Sequence, residues 1–204
     1  MKKAIIIISV AALVLLLCVA GYFGLGFNKL NANIDMPEEY YIEYEVTSKD
    51  GVVTTVAKGK DKFGNCYYKN GKLETLYILV GNKYDVYEKT SEGWKYKNES
   101  VTEKFINDAT SAFEEYAGKG REVGVALYKE TESRVICNRD GKGYSMKIDL
   151  WLYGESYEMV IDSESGLCLA FSNVSEAGFG DAEISGFVCT EFKLSENDFS
   201  DIIK

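Results

Sequence analysis

Histidine is absent from the 204-residue chain. That removes Ser-His-Asp and Cys-His nucleophilic catalysis and the imidazole ligands of the usual zinc sites. No C-x-x-C pair occurs among the five cysteines, which excludes a thioredoxin-type redox motif. Basic residues are short, 23 against 32 acidic ones for a net charge of −9, and no run of lysines forms a patch. Such a field repels phosphate backbones and anionic headgroups, arguing against nucleic acid and a polybasic membrane-surface role. No period of about 20 to 50 residues recurs, so solenoids and propellers are excluded. Proline occurs once, at Pro37.

What is present begins with an apolar run. Residues 4–27 are 24 consecutive uncharged positions, about 36 Å as a helix at about 1.5 Å per residue, enough to cross a hydrocarbon layer of about 30 Å. Lys2 and Lys3 precede it, while Asp35, Glu38 and Glu39 follow. The positive-inside bias then puts the N-terminus in the cytoplasm and the remainder outside, as in a single-pass protein of the bacterial cell membrane. Three fates compete for residues 1–27: an uncleaved anchor, a signal peptide cut after Ala20, and lipidation at Cys18 in "LLLC", where Leu17 replaces the small residue such boxes carry. The anchor is the expectation, because the run continues through Phe23, Leu25 and Phe27. Residues 28–37 read as a polar linker and residues 38–204 as one extracytoplasmic β-rich domain.

From Tyr40 the pattern has period two. Tyr40, Ile42, Tyr44 and Val46 share one face, with Glu43, Glu45 and Thr47 on the other. Turn signals at Asp50-Gly51, Phe63-Gly64, Asn70-Gly71, Gly81-Asn82 and Glu92-Gly93 separate segments rich in aromatic and β-branched residues, predicting a meander of about six strands. In "TLYILV" both faces are apolar, since Leu76, Ile78 and Val80 alternate with Tyr77 and Leu79.

A capping box at Ser100-Val101-Thr102-Glu103 predicts a helix over residues 101–117, with Val101, Phe105, Ala109, Ala112, Phe113 and Tyr116 on its buried stripe and Gly118 as a left-handed cap. A shorter helix is expected over residues 122–129. Strands resume at "RVICN", "YSMKIDLWLY", "SYEMVID", "GLCLAFSNV" and "ISGFVCTEFKL".

Catalytic chemistry finds little support. Asp149, Glu155, Glu158 and Asp162 lie near Trp151, Tyr153 and Tyr157 as a glycosidase pair would, but in so acidic a chain such clusters arise freely and read as a solvated strand face. "DSESG", residues 162–166, alternates oxygen ligands yet lacks the distal bidentate Glu of a calcium loop, and reads as a β-turn.

The cysteines beyond Cys18 are Cys66, Cys137, Cys168 and Cys189, an even set that permits two disulfides outside the cytoplasm. In "GLCLAF" the residues Leu167, Leu169 and Phe171 share a face and leave Cys168 with Ala170 on the other. A packing thiol or a disulfide partner fits that better than a nucleophile. Cys189 opposes Val188, Phe192 and Leu194, so Cys168 and Cys189 meet on the outer side of neighbouring strands if the larger residues face inward. Cys137 is the competing partner.

The run from Tyr157 through "MVIDSESGLCL", the loop "NVSEAGFGDAEIS" and the closing "GFVCTEFKL", with Phe187 and Phe192 in an aromatic-x-x-x-x-aromatic pattern, resemble the LolA-like lipoprotein-carrier superfamily. The order of elements agrees over roughly residues 38–199. The resemblance implies an α+β fold in which a strongly curved antiparallel sheet, an unclosed barrel of about 11 strands, packs around one or two helices with an apolar concave face. It also implies a carrier of acyl chains or lipidated proteins, or an extracytoplasmic sensor. A tethered chain departs from the carriers, which are soluble and shuttle.

The expectation is a membrane-tethered, non-enzymatic binder of an apolar or lipidated ligand, with an acyl chain or lipidated protein as partner. The alternative is an envelope sensor or protein-interaction domain with no small ligand. No catalytic, metal, cofactor or ligand-binding residue is assigned, and no cofactor is expected. An empty apolar cavity on the order of several hundred Å³ would favour the binder, and a filled core the interaction domain.

Overall fold

The computed structural model describes residues 12–18, 20, 34, 36–118, 128–150, 153–173, 184–194 and 199. Residues 12–18 are helical (α1), and their side chains from Leu13 to Leu17 are exposed. Among the described residues no helix is long and apolar enough to cross a membrane. Most of the expected anchor and linker lies outside the described residues.

The first half is the expected meander: β1 (Tyr40–Ser48), β2 (Val53–Lys60), β3 (Cys66–Asn70), β4 (Leu73–Val80), β5 (Lys83–Thr90) and β6 (Gly93–Val101). Two helices follow, α2 (Glu103–Ala109) and α3 (Ser111–Ala117). The second half is β7 (Tyr128–Ile136), β8 (Arg139–Leu150), β9 (Tyr153–Asp162), β10 (Cys168–Asn173) and β11 (Ile184–Lys193). All belong to one 11-stranded sheet in the order β6-β5-β4-β3-β2-β1-β11-β10-β9-β8-β7. Its pairings are antiparallel, and the two meanders join where β1 pairs with β11, as in Val46 opposite Phe187. The outer strands β6 and β7 do not pair with each other, so the sheet is an unclosed barrel.

Curvature follows from contacts across the sheet. The β7–β8 turn brings the Cys137 Sγ to 3.0 Å from the Cys189 carbonyl oxygen on β11. Three strand spacings of about 4.8 Å would hold β8 and β11 about 14 Å apart on a flat sheet. Arg139 likewise lies over the Phe192 ring of β11 at 5.0 Å. The sheet therefore curls until the hairpin tip overhangs its own neighbour. Gly141 sits in that bend, where a Cβ would run into Val160 and Leu169, so only glycine admits the close approach.

Several local expectations shift. Ser100 belongs to β6 and gives its hydroxyl to Asp85 at 2.6 Å, whereas Thr102 caps the helix by accepting from the Phe105 amide. The hydrogen-bonding demand of β5 holds Ser100 in the sheet, and the helix starts two residues later. The expected single helix is divided at Thr110, which is extended neither as strand nor as helix, with φ −101° and ψ 12°. The change of direction turns Phe105 and Ala109 outward and Ile106 inward. Gly118 has φ −89° rather than a left-handed value. The second expected helix is overturned where it can be judged, since Tyr128 and Lys129 open β7; residues 122–127 lie outside the described residues. The strand "RVICN" stops at Ile136, because Cys137 and Asn138 have φ of 51° and 60°, the signature of a two-residue hairpin turn.

Candidate binding surfaces

Alternation along the strands builds two surfaces. On the concave side Tyr40, Ile42, Tyr44 and Val46 of β1 join Val56, Tyr68, Tyr77 and Val86 in the main core. Helix α3 fills the hollow: Phe113 is fully buried and packs on Tyr44 at 5.5 Å between ring centroids. The aromatic file continues from Tyr44 to Phe187 at 5.3 Å, to Phe171 at 5.7 Å and to Tyr157 at 5.7 Å. Lys58, buried on the same side, gives its ammonium to Glu114 of α3 at 2.6 Å and ties the helix to β2. Among the described residues, this concavity is packed by the chain's own side chains.

The opposite side explains why "TLYILV" is apolar on both faces. Leu76 lies there with Ala57, Tyr67 and Phe199, flanked by Tyr41, Ile78, Tyr87 and Trp94, while Tyr77 points into the main core. Asp61, itself buried, holds Phe199 in place: its carboxylate accepts the Phe199 amide at 3.0 Å as well as the amides of Phe63 and Asn65, each at 2.9 Å. Phe199 thus covers part of this face.

Further along the same convex side, a cross-strand row runs Gly143, Val160, Ala170, Val188. The adjacent row, Tyr144, Met159, Phe171, Phe187, points to the concave side, so alternation turns the first row to the convex one, where Val160 is still buried and Ala170 packs against the core cluster. Its small residues make the floor of an open groove of about 230 Å³. Arg134 and Glu158 stand on its rim 3.8 Å apart, and both are more than half or half exposed. The floor is apolar, the rim is charged, and Val188 is 40% exposed.

The acidic cluster proves structural where it is described. Asp162 is buried and accepts Arg139 Nε at 3.1 Å and Nη2 at 2.9 Å, together with the amide and hydroxyl of Ser165 at 2.8 and 2.5 Å. Burial alone would raise its pKa, but the bonds from Arg139 and Ser165 outweigh that and hold the carboxyl below its ordinary value. The "DSESG" segment is a turn locked by Arg139. Glu158 faces Arg134 on the convex rim, Tyr157 stacks in the core, and the side chains of Asp149, Trp151, Tyr153 and Glu155 lie outside the described residues. Among the described residues no group of three acidic or thiol side chains is arranged to hold a metal.

All five cysteines are free thiols. A bulge between Cys168 and Ala170 breaks the alternation, and Leu167, Cys168 and Leu169 are all buried. Cys189 faces the core beside Phe187, whereas Val188 and Leu194 are exposed, so the two cysteines do not meet on an outer side. The reason is the bulge together with Phe187, which shares a face with Cys189 and takes it into the core while Val188 is left outward. Burial, followed by the neighbouring Cys137, pushes the Cys189 thiol well above its ordinary pKa. Sequence reading missed both the groove and the approach of Cys137 to Cys189. The two-residue turn at Cys137-Asn138 was the available signal for the second.

No protein-family model matches the sequence, and no curated protein does. The chain is similar to solved structures. One is MucB, with 12% identity over 87% of this chain and 61% of that one, at a TM-score of 0.41. In the MucA/MucB complex of Pseudomonas aeruginosa the identity is 9% over 89% of this chain and 59% of that one, at a TM-score of 0.41. The lipoprotein LppX of Mycobacterium tuberculosis gives 10% over 87% and 96%, at 0.35. A LolA superfamily protein of Nitrosomonas europaea gives 8% over 91% and 97%, at 0.29. The chain spans about three-fifths of the length of the MucB chains it matches.

Proposed function

We propose that the chain is a non-enzymatic, extracytoplasmic interaction domain, tethered to the membrane through residues 1–27, that takes a partner polypeptide on the convex side of β7–β11. The observation that carries this reading is the filled concavity. Phe113 is fully buried against Tyr44 where an acyl chain would have to lie. The groove of about 230 Å³ lies on the other side of the sheet, open and with a charged rim. Small-molecule pockets enclose about 300 to 1,000 Å³ and bury most of the ligand. An open trough below that range, with an apolar floor and one charge of each sign on its rim, suits side chains of a polypeptide better than a lipid tail. The lack of histidine and the locking of Asp162 by Arg139 support a binding role without chemistry.

A photo-crosslinking residue at Val188, with one at Val135 as control, tests this in cells carrying the full chain. The expected result is a discrete polypeptide adduct from position 188. Stoichiometric phospholipid or acyl chain extracted from the purified protein would replace this reading with the apolar-ligand one. Protease added to intact cells should remove the domain while the protein stays with the membrane fraction; release of a soluble form would remove the tether.

A further inference from the structure

The β7–β8 turn delivers a partly buried cysteine to a strand it does not pair with. Cys137 gives its thiol to the Cys189 carbonyl oxygen at 3.0 Å, across 52 residues of sequence. Both belong to one packed cluster with Tyr44 and Phe187. We propose that Cys137 and Cys189 form an intramolecular disulfide, a redox modification site that fastens the β7–β8 hairpin to β11.

The other thiols are placed differently. Cys168 is fully buried beside the β10 bulge, and its thiol turns to its own strand at the Ala170 carbonyl, 3.2 Å away. Cys66 lies in β3 with its thiol 3.7 Å from the Gly64 carbonyl. Cys137 alone among the four stands on a turn tip, where small changes in φ and ψ reposition Sγ without breaking a ladder. A second contact already holds the same tip to the same strand, since Arg139 lies over Phe192 at 5.0 Å. The hairpin is thus docked before any bond forms.

The chemistry is thiol–disulfide exchange with an oxidising disulfide, of a protein or of glutathione. The Cys137 thiolate attacks one sulfur of that disulfide, forming a mixed disulfide and expelling one thiolate. Cys189, having lost its proton to solvent, then displaces the second thiol from Cys137 Sγ. The pair loses two electrons and two protons, and the external disulfide becomes two thiols. Burial of Cys189 raises its pKa, so the second step is the slower one and quickens as pH rises.

The test uses purified full chain, reduced and then equilibrated with oxidised glutathione, so its outcome does not depend on the binding role or on the compartment. Peptide mapping without reduction should yield one linked pair, Cys137 with Cys189, retained in Cys168→Ser and Cys66→Ser. The oxidised protein should unfold at a higher denaturant midpoint than the reduced one, a shift absent in Cys137→Ser. Should Cys137→Ser fail to fold, Cys189→Ser carries the test: it should leave Cys137 trapped as the glutathione adduct. Alkylation of every cysteine after equilibration, a Cys168–Cys189 bridge, or a persistent glutathione adduct on Cys137 in the parent chain would each overturn the assignment.

Discussion

The Tyr44 hydroxyl donates to the Cys168 carbonyl at 2.9 Å, joining β1 to the start of β10 across 124 residues. Both residues are fully buried, and β11 lies between their strands. The bond meets β10 at its bulge, between Cys168 and Ala170. Tyr44→Phe keeps the ring packing on Phe113 and Phe187 but removes this hydrogen bond. One such hydrogen bond contributes about 0.5–1.5 kcal/mol, and a urea melt of the variant should show a loss in that range. No change would mean that the phenol is bystander to the ring packing.

The divided helix makes two phenylalanines unequal. Phe113 is fully buried, whereas Phe105 is 48% exposed. Phe113→Ala should cost about 3–5 kcal/mol in the same assay, and Phe105→Ala should fall within about 0.5 kcal/mol of the parent. Equal losses would restore a single continuous helix with both rings inward.

Arg139 and Asp162 set an acid limit. Removing the guanidinium leaves a carboxylate with Ser165 alone, and breaking a buried pair costs about 3–5 kcal/mol, so Arg139→Ala should be destabilised near that amount at neutral pH. Because the folded state depresses the Asp162 pKa, its contribution is fully present above the unfolded value of about 3.9 and is lost as pH falls through the folded one. The stability gap between parent and variant should therefore close at acid pH, as read from urea midpoints along a pH series. A gap that persists below both pKa values would show that Arg139 acts by packing on Phe192.

The tyrosines set an alkaline limit. Burial, assisted by Tyr68 and nearby acidic charge, pushes Tyr77 up to about 12. The folded state thus favours the neutral phenol over an unfolded chain that titrates near 10. Its contribution is fully present below about pH 10 and is lost as pH rises through about 12. Stability should fall along that limb, and Tyr77→Phe should flatten the fall, measured by denaturant midpoint against pH.

The sequence alone determined the elements whose signals are local. Period-two alternation in β1 placed Tyr40, Ile42, Tyr44 and Val46 inside, and they are all buried. The glycine turns stand where φ is positive, at Gly51, Gly64, Gly71, Gly81 and Gly93, because only glycine takes that backbone freely. The meander, the helical insert and the return to strands follow from such signals, and the resemblance supplied the unclosed barrel. Tertiary structure decided what depends on partners distant in sequence. Ser100 read as a cap until Asp85, 15 residues away, claimed its hydroxyl. Leu76 and Tyr77 both looked like core, and only pairing and the return of Phe199 show that each has its own core on opposite faces. Cys168 and Cys189 were judged by alternation, which a bulge cancels without leaving a mark in the sequence. The approach of Cys137 to Cys189 and the groove beneath Arg134 exist only once the sheet curls, because curvature sums small twists over eleven strands and no single residue encodes it.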